Sequence, residues 1–188
     1  MELFYIRQII EGDISPFSYF VETYKDMAFA IAYRITNNRE DAEEIVQDAF
    51  VKAYRSLAKF RQDSKFSTWL FRIVVNLALT KIKGNEKKIA GNIELSELPD
   101  NMIESVEAMY RGLSEAEQRT LINTALDEMG REDRLLLTLY YLNENSIDEI
   151  KDITGISSDN IKMKLHRARK KMYGRLNKRL EPAIIEIV

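Results

Sequence analysis

Two clusters of side chains in this chain have types and spacings that could do chemistry. From Ile161 to Leu180 there are nine Lys or Arg and no acid. Within that run Lys162, Met163, Lys164, His166, Arg167, Arg169 and Lys170 fall where a helix would show them to solvent. Guanidinium and ammonium groups along one helix face suit phosphate oxygens and the base edges of a major groove. Lys or Arg near a helix end are also favoured by the dipole whatever they touch, so a merely solvated helix is the competing reading. The residues just before decide for DNA. Ser146-Ile147-Asp148-Glu149-Ile150-Lys151-Asp152-Ile153-Thr154-Gly155-Ile156 predicts a short helix, a stop at a glycine tolerant of left-handed backbone, and a second helix from about Ser157. That is a helix-turn-helix pattern, with Ile150, Ile156 and Ile161 as the packing contacts. Lys151 stands where such motifs usually carry alanine for close packing, and its stem can snorkel.

The second cluster is acidic: Glu40, Asp41, Glu43, Glu44 and Asp48, with Gln47 among them. Asp41, Glu44 and Asp48 at helical spacing fit a stripe for a basic partner, a solvated face, or carboxylates around a metal. No histidine supports the metal. The chain has no cysteine and only His166, which argues against a Cys/His zinc site, an iron–sulfur cluster and a thiol nucleophile. The expectation is no metal, no cofactor and no catalytic centre.

The elements that must position these groups are helices. Ala42, Ile45, Val46, Ala49, Phe50, Ala53, Tyr54 and Leu57 recur at steps of three and four, as do Leu121, Ile122, Ala125, Leu126 and Met129, and again Ile161, Leu165, Ala168, Met172, Leu176 and Leu180. No run alternates with period two. Ser15-Pro16 predicts a helix start with proline in the first turn. Ser114-x-x-Glu117 and Ser146-x-x-Glu149 predict capping boxes. Gly130, just after Met129, predicts a left-handed helix stop.

The 188 residues carry a net charge of −2, which alone would not suggest nucleic acid. The distribution does. Val51 to Lys88 holds ten Lys or Arg against Asp63 and Glu86, whereas Ile89 to Gln118 holds seven acids against Arg111. The acidic, breaker-containing stretch predicts a flexible linker. The organisation read from this is all-α: two small helical domains at 1–85 and 114–182, an acidic linker at 86–113 and a tail at 183–188. No apolar run reaches the roughly 18–20 residues of a membrane span, and the start lacks the basic and apolar regions of a signal peptide. The expected compartment is the cytoplasm, without membrane insertion.

Asp41 to Tyr54, followed by Phe60-Arg61-Gln62-Asp63-Ser64-Lys65-Phe66-Ser67-Thr68-Trp69-Leu70-Phe71-Arg72-Ile73-Val74-Val75-Asn76, resembles domain 2 of the extracytoplasmic-function (ECF) sigma factors of bacterial RNA polymerase. Ile161 to Arg169 resembles their domain 4. The resemblance implies a promoter-specificity subunit that binds core RNA polymerase, reads promoter DNA and promotes melting, and does no covalent chemistry. It implies that Asp41, Glu44, Gln47 and Asp48 dock on the β′ clamp helices, and that the second lobe meets the β flap. It implies that Phe60 to Thr68 captures a base flipped from the minus-ten element. Phe60 and Asn76 match the pocket positions, and Arg61, Ser64 and Lys65 can reach phosphates. Gln62 replaces a glycine common there. Arg72, Lys81 and Lys83 fit contacts to the strand backbone. Trp69 reads either as a stacking platform for DNA or as a core residue between helices. In the second lobe Lys162, Met163, His166 and Arg167 match positions that read the minus-thirty-five element, while Lys164 and Arg169 suit phosphates. The implied regulator is an anti-sigma factor. The acidic linker would imitate a nucleic-acid backbone in the polymerase channel.

Overall fold

The computed structural model describes residues 1–85 and 112–180. Most of the linker expected at 86–113 and the whole tail at 183–188 lie outside the described residues. Among those described, the fold is helical with no strand.

The first lobe comprises α1 (Glu2–Ile10), α2 (Phe17–Thr36), α3 (Arg39–Ser56), a single 3-10 turn (Leu57–Lys59) and α4 (Phe66–Asn85). Helices α2, α3 and α4 pack against one another pairwise. Ala28, Ala32, Ala42, Ala49, Ala53 and Ala78 are wholly buried, and such small side chains let helix backbones approach closely. Aromatic rings fill the remaining space. Phe20 and Phe66 have centroids 4.3 Å apart, and Phe66 also meets Tyr24, Phe60 and Trp69. The Tyr24 hydroxyl donates to the Glu2 carboxylate and ties α1 to α2. Burial, with help from that carboxylate, pushes the phenol's pKa well above its ordinary value.

Short polar signals set the helix ends. Asn37 in left-handed backbone (φ 54°) closes α2, and the Asn38 side chain accepts from the Asp41 N–H at 2.9 Å to start α3. The start of α2 is one residue later than the Ser-Pro pair predicts. Pro16 precedes its first residue, and Ser15 is held by Asp13, whose Oδ1 accepts from the Ser15 N–H at 3.0 Å and from its Oγ at 2.5 Å.

The second lobe comprises α5 (Glu115–Asp127), α6 (Arg131–Leu137), one π-helical turn (Thr138–Leu142), α7 (Ile147–Thr154) and α8 (Ser158–Leu180). Both capping boxes form, at Ser114/Glu117 and Ser146/Glu149. Gly155 takes left-handed backbone (φ 75°) between α7 and α8, as the helix-turn-helix pattern requires. Gly130 corrects the expectation. It is extended (φ −62°, ψ 148°) and serves as the N-cap of α6, because the chain must straighten there before the next helix can start.

The lobes are not merely tethered. Helix α2 lies against α6, and α4 lies against α7. The buried apolar core runs unbroken from Phe20, Phe66 and Leu70 to Leu136, Leu139, Ile150 and Ile161.

Candidate nucleic-acid interface

Helix α8 is amphipathic on three sides, and the division decides which cations are available. Ile161, Leu165 and Ala168 are buried against the rest of the lobe. On one flank the basic groups are engaged by acids of the neighbouring segments. Lys164 Nζ donates to Glu132 at 2.6 Å, Lys171 Nζ to Asp133 at 2.6 Å and Arg175 Nη1 to Glu128 at 3.0 Å. Arg179 also reaches Glu128. The two guanidiniums, Arg179 foremost, hold the Glu128 carboxyl below the usual range. The outer side carries Lys162, Met163, His166, Arg167 and Arg169 exposed, with Lys170 half-buried beside them. Lys164, expected on phosphate, is turned to Glu132 instead. Its neighbour Met163 is 44% exposed, which leaves an apolar contact at the centre of a cationic face.

The loop before α4 is held by a second set of contacts. Phe60, expected as a pocket wall open to a base, is only 8% exposed. Its ring lies 5.1 Å from Trp69 and meets Phe66 edge-on at 6.0 Å. The residue belongs to the core and offers a base little more than its rim, because an aromatic ring gains more from close packing than from standing in water. Trp69 is half-buried between Phe60 and Phe66, which favours the core reading over a free stacking platform. Gln62 has φ 62°, so the loop takes there the left-handed backbone that glycine adopts readily. Arg61 is open to solvent and pairs with Asp63 at 3.0 Å. Ser64 is half-buried, with Oγ 3.4 Å from the Lys65 carbonyl. Arg72 and Asn76, one turn apart on α4, are both exposed. Lys65 crosses to the other lobe, with Nζ 2.8 Å from Glu149 Oε1.

The acidic stripe lies on α3. Glu44, Gln47 and Asp48 are exposed and Asp41 is half-buried. Lys81, expected on the DNA strand, instead comes from α4 to Glu44 at 2.5 Å and Asp41 at 3.2 Å. Those carboxylates, Glu44 foremost, raise its pKa. Part of the stripe is therefore already matched within the lobe, and Asp48 and Gln47 are its open end. Among the described residues no cluster of His, Cys, Asp and Glu could hold a metal, and no helix is long and apolar enough to cross a membrane.

Sequence reasoning missed the polar seam between the lobes, formed by Arg34, Asn37, Asn123, Asp127, Arg131 and Arg134. One signal was present: Arg131 is the first residue of a helix, where a cation opposes the dipole.

The Sigma-70 region 2 model matches residues 20–88, and that of Sigma-70, region 4 matches residues 119–172. The ECF RNA polymerase sigma factor SigW of Bacillus subtilis is 31% identical over 179 residues, covering 87% of this chain and 90% of that protein. The chain belongs to the ECF sigma factors of the sigma-70 family. The RNA polymerase sigma-H factor of Pseudomonas aeruginosa is 25% identical over 187 residues, 96% of this chain and 94% of the relative. Two solved structures share the fold. CnrH in complex with the cytosolic domain of CnrY has a TM-score of 0.63 at 20% identity, covering 93% of this sigma factor and 96% of that chain. The sigma factor RpoE with the anti-sigma factor NepR from Bartonella quintana has 0.58 at 19%, covering 85% and 96%. In this sigma factor, region 2 covers α2 to α4 with the acidic stripe and the loop, and region 4 covers the helix-turn-helix.

Proposed function

We propose that this sigma factor reads promoter DNA with two separate surfaces and meets polymerase with a third. Its activity is to direct RNA polymerase to promoters at the start of transcription. The first reading surface is the outer side of α8, with Lys162, Met163, His166 and Arg167 toward base edges and Arg169 and Lys170 toward phosphate. The second is the loop and the start of α4, where Arg61, Ser64, Lys65, Arg72 and Asn76 surround a strand whose flipped base lodges beside the rim of Phe60. The third is the open end of the α3 stripe, Gln47 and Asp48 with Glu44 and Asp41 behind them, against the β′ clamp helices. The β flap meets the second lobe. No step of covalent chemistry belongs to the chain. It acts in the cytoplasm, with residues 1–85 and 114–182 as its two working units and an anti-sigma factor as its regulator.

The observation that carries this reading is the division of α8. Cations facing Glu128, Glu132 and Asp133 are spoken for, while the outer side keeps exposed cations that form no ion pair among the described residues, following a left-handed glycine turn. A groove-binding helix needs that asymmetry, since affinity for DNA rests on cations free to displace counterions. The experiment is run-off transcription with core polymerase on a library of promoters. A discrete transcript that requires the chain is expected. No chain-dependent transcript from any template would overturn the reading.

A further inference from the structure

We infer that Met163 is the thymine-reading residue of α8, closing its thioether over the C5-methyl group of one base on the floor of the major groove. The inference rests on the reading of α8 proposed above and gives one of its contacts a chemical identity.

Place, more than exposure, marks this side chain. A single apolar residue in water is ordinary on a protein surface. Met163, however, is the one large apolar side chain that stands exposed among the described residues of α8. Ile161 and Leu165, two positions away on either side, are both buried against the lobe, and so is Ala168. At about 3.6 residues per turn, a residue flanked in that way points straight away from the packed face. Met163 is therefore the crest of the helix. His166 and Arg167, one turn on, lean to either side of it, and Lys162 lies on the flank; all three are exposed. The turn before carries Asp159 and Asn160, also exposed, so no apolar neighbour on its own helix shelters the thioether. Lys164 is drawn off to Glu132 at 2.6 Å, which keeps its ammonium away from the crest.

The crest of a helix laid in a major groove meets base edges, while its flanks meet the phosphate walls. Met163 also lies in the second turn of α8, within the N-terminal stretch that such helices present to bases. Nearly every group on that floor donates or accepts a hydrogen bond: N7 and O6 of guanine, N7 and N6 of adenine, N4 of cytosine and O4 of thymine. A thioether satisfies none of them well, and covering them removes the water they would otherwise keep. The thymine methyl is the apolar exception, and contact with it takes apolar surface from water on both partners. Methionine suits the task because its unbranched, polarizable chain adapts to the shape it meets. One position of the promoter thus selects an A·T pair in one orientation, while His166 and Arg167 serve the acceptors of neighbouring pairs.

The test exchanges thymine for uracil, which deletes the methyl group and nothing else. A promoter that supports chain-dependent run-off transcription is made as synthetic duplexes. Each thymine of the minus-thirty-five element, on either strand, is replaced in turn. Synthetic DNA of this kind holds no 5-methylcytosine, so a methyl dependence belongs to thymine. Binding of the holoenzyme, core polymerase with the full-length chain, is read by fluorescence anisotropy at one fixed salt concentration. One position should lose about fourfold in affinity on going to uracil, the effect of a single buried methyl group. Met163→Ala should bind the thymine and uracil duplexes of that position alike, whereas Met163→Leu, still apolar, should keep the difference. The side chain is exposed, so both variants should retain the parent's helicity by circular dichroism.

An element without an A·T pair, or one in which no uracil weakens binding, overturns the inference. So does a uracil effect that persists unchanged in Met163→Ala, because another residue would then read the methyl. If the thymine contact fails while Arg167→Ala still loses promoter affinity, the reading of α8 stands without it. Absence of any chain-dependent transcript would sink both.

Discussion

The two lobes reach stability by different routes. The first is held by volume: fully buried alanines at its helix crossings and a stack of Phe20, Phe66, Phe60 and Trp69 between α2 and α4. The second also buries Leu136, Leu139, Ile150 and Ile161, but adds polar ties at its ends and edges: two capping boxes, a left-handed glycine, and Glu128, Glu132 and Asp133 along one flank of α8. In the reading proposed above, the second lobe uses charge both to bind DNA and to fold. The lesson is that similar residues on α8 serve opposite ends, and only their neighbours separate them.

The sharpest way to break the comparison is in the core. Phe66→Ala should destabilise the first lobe by about 3–5 kcal/mol, because a fully buried ring leaves a cavity among other rings. Urea unfolding would show it, and a loss under 1 kcal/mol would remove the aromatic stack as the basis of that lobe. Arg167→Ala should weaken promoter binding by about 1–3 kcal/mol and relax preference at one base position. Lys171→Ala should instead leave DNA affinity nearly unchanged while lowering the thermal midpoint of the second lobe. Fluorescence anisotropy across a salt series compares them, and equal losses would merge the two flanks of α8 into one.

Removing a cap should cost less than removing a ring. Ser146→Ala is expected to destabilise the second lobe by about 1 kcal/mol, measured by chemical denaturation. Acid should separate the lobes by number: Glu117, Glu128 and Glu149, held below their ordinary values, lie in the second, and Asp13, lowered by Ser15, lies in the first. Burial raises the Glu149 pKa, but Lys65 and Ser146 outweigh it, and the net position is below the ordinary value; Glu128 is lowered by Arg179 and Arg175. Carboxyls with depressed folded values add stability above the unfolded value of about 4.3, and that stability is lost as pH falls through the folded values. Tyr24 is raised, so its contribution is present below about pH 10 and lost only as pH rises through the folded value. Melts at pH 7 and pH 4 should show the second lobe loosening first in acid. The reverse order would contradict the assignment. The smallest effect belongs to Gln62→Gly. Relief of left-handed backbone gains about 1–2 kcal/mol, and the added freedom of the unfolded chain takes back about 0.5–1, leaving a slight net stabilisation in a thermal melt.

Much of this was legible before any coordinates. Periodicity in Ala42 to Leu57 and Ile161 to Leu180 specified helices and their buried faces, and the Ser-x-x-Glu pairs specified two helix starts. These are local signals, decided within one turn of chain. What escaped was decided across the fold. Phe60 reads as an open aromatic until Phe66 and Trp69 close over it. Lys81 reads as a free cation until α4 is laid beside α3. Gly130 looks like a stop because Met129 precedes it, yet the next helix uses it as a start. The seam was invisible for the same reason: Arg34 and Asp127 are 93 residues apart, and nothing in the linear pattern joins them.

The seam also limits how this protein can be recombined. Exchanging region 4 for that of a relative, a natural way to graft one promoter preference onto another polymerase contact, would carry off Asn123, Asp127, Arg131 and Arg134 together. Arg34 would then face whatever the incoming lobe presents, and the end of α2 would lose its borrowed cations. Such a hybrid could fail although each half was sound, and the remedy would be to move a handful of seam residues along with the lobe. Modularity in this chain therefore has its boundary at the seam between α2 and α6 rather than in the linker.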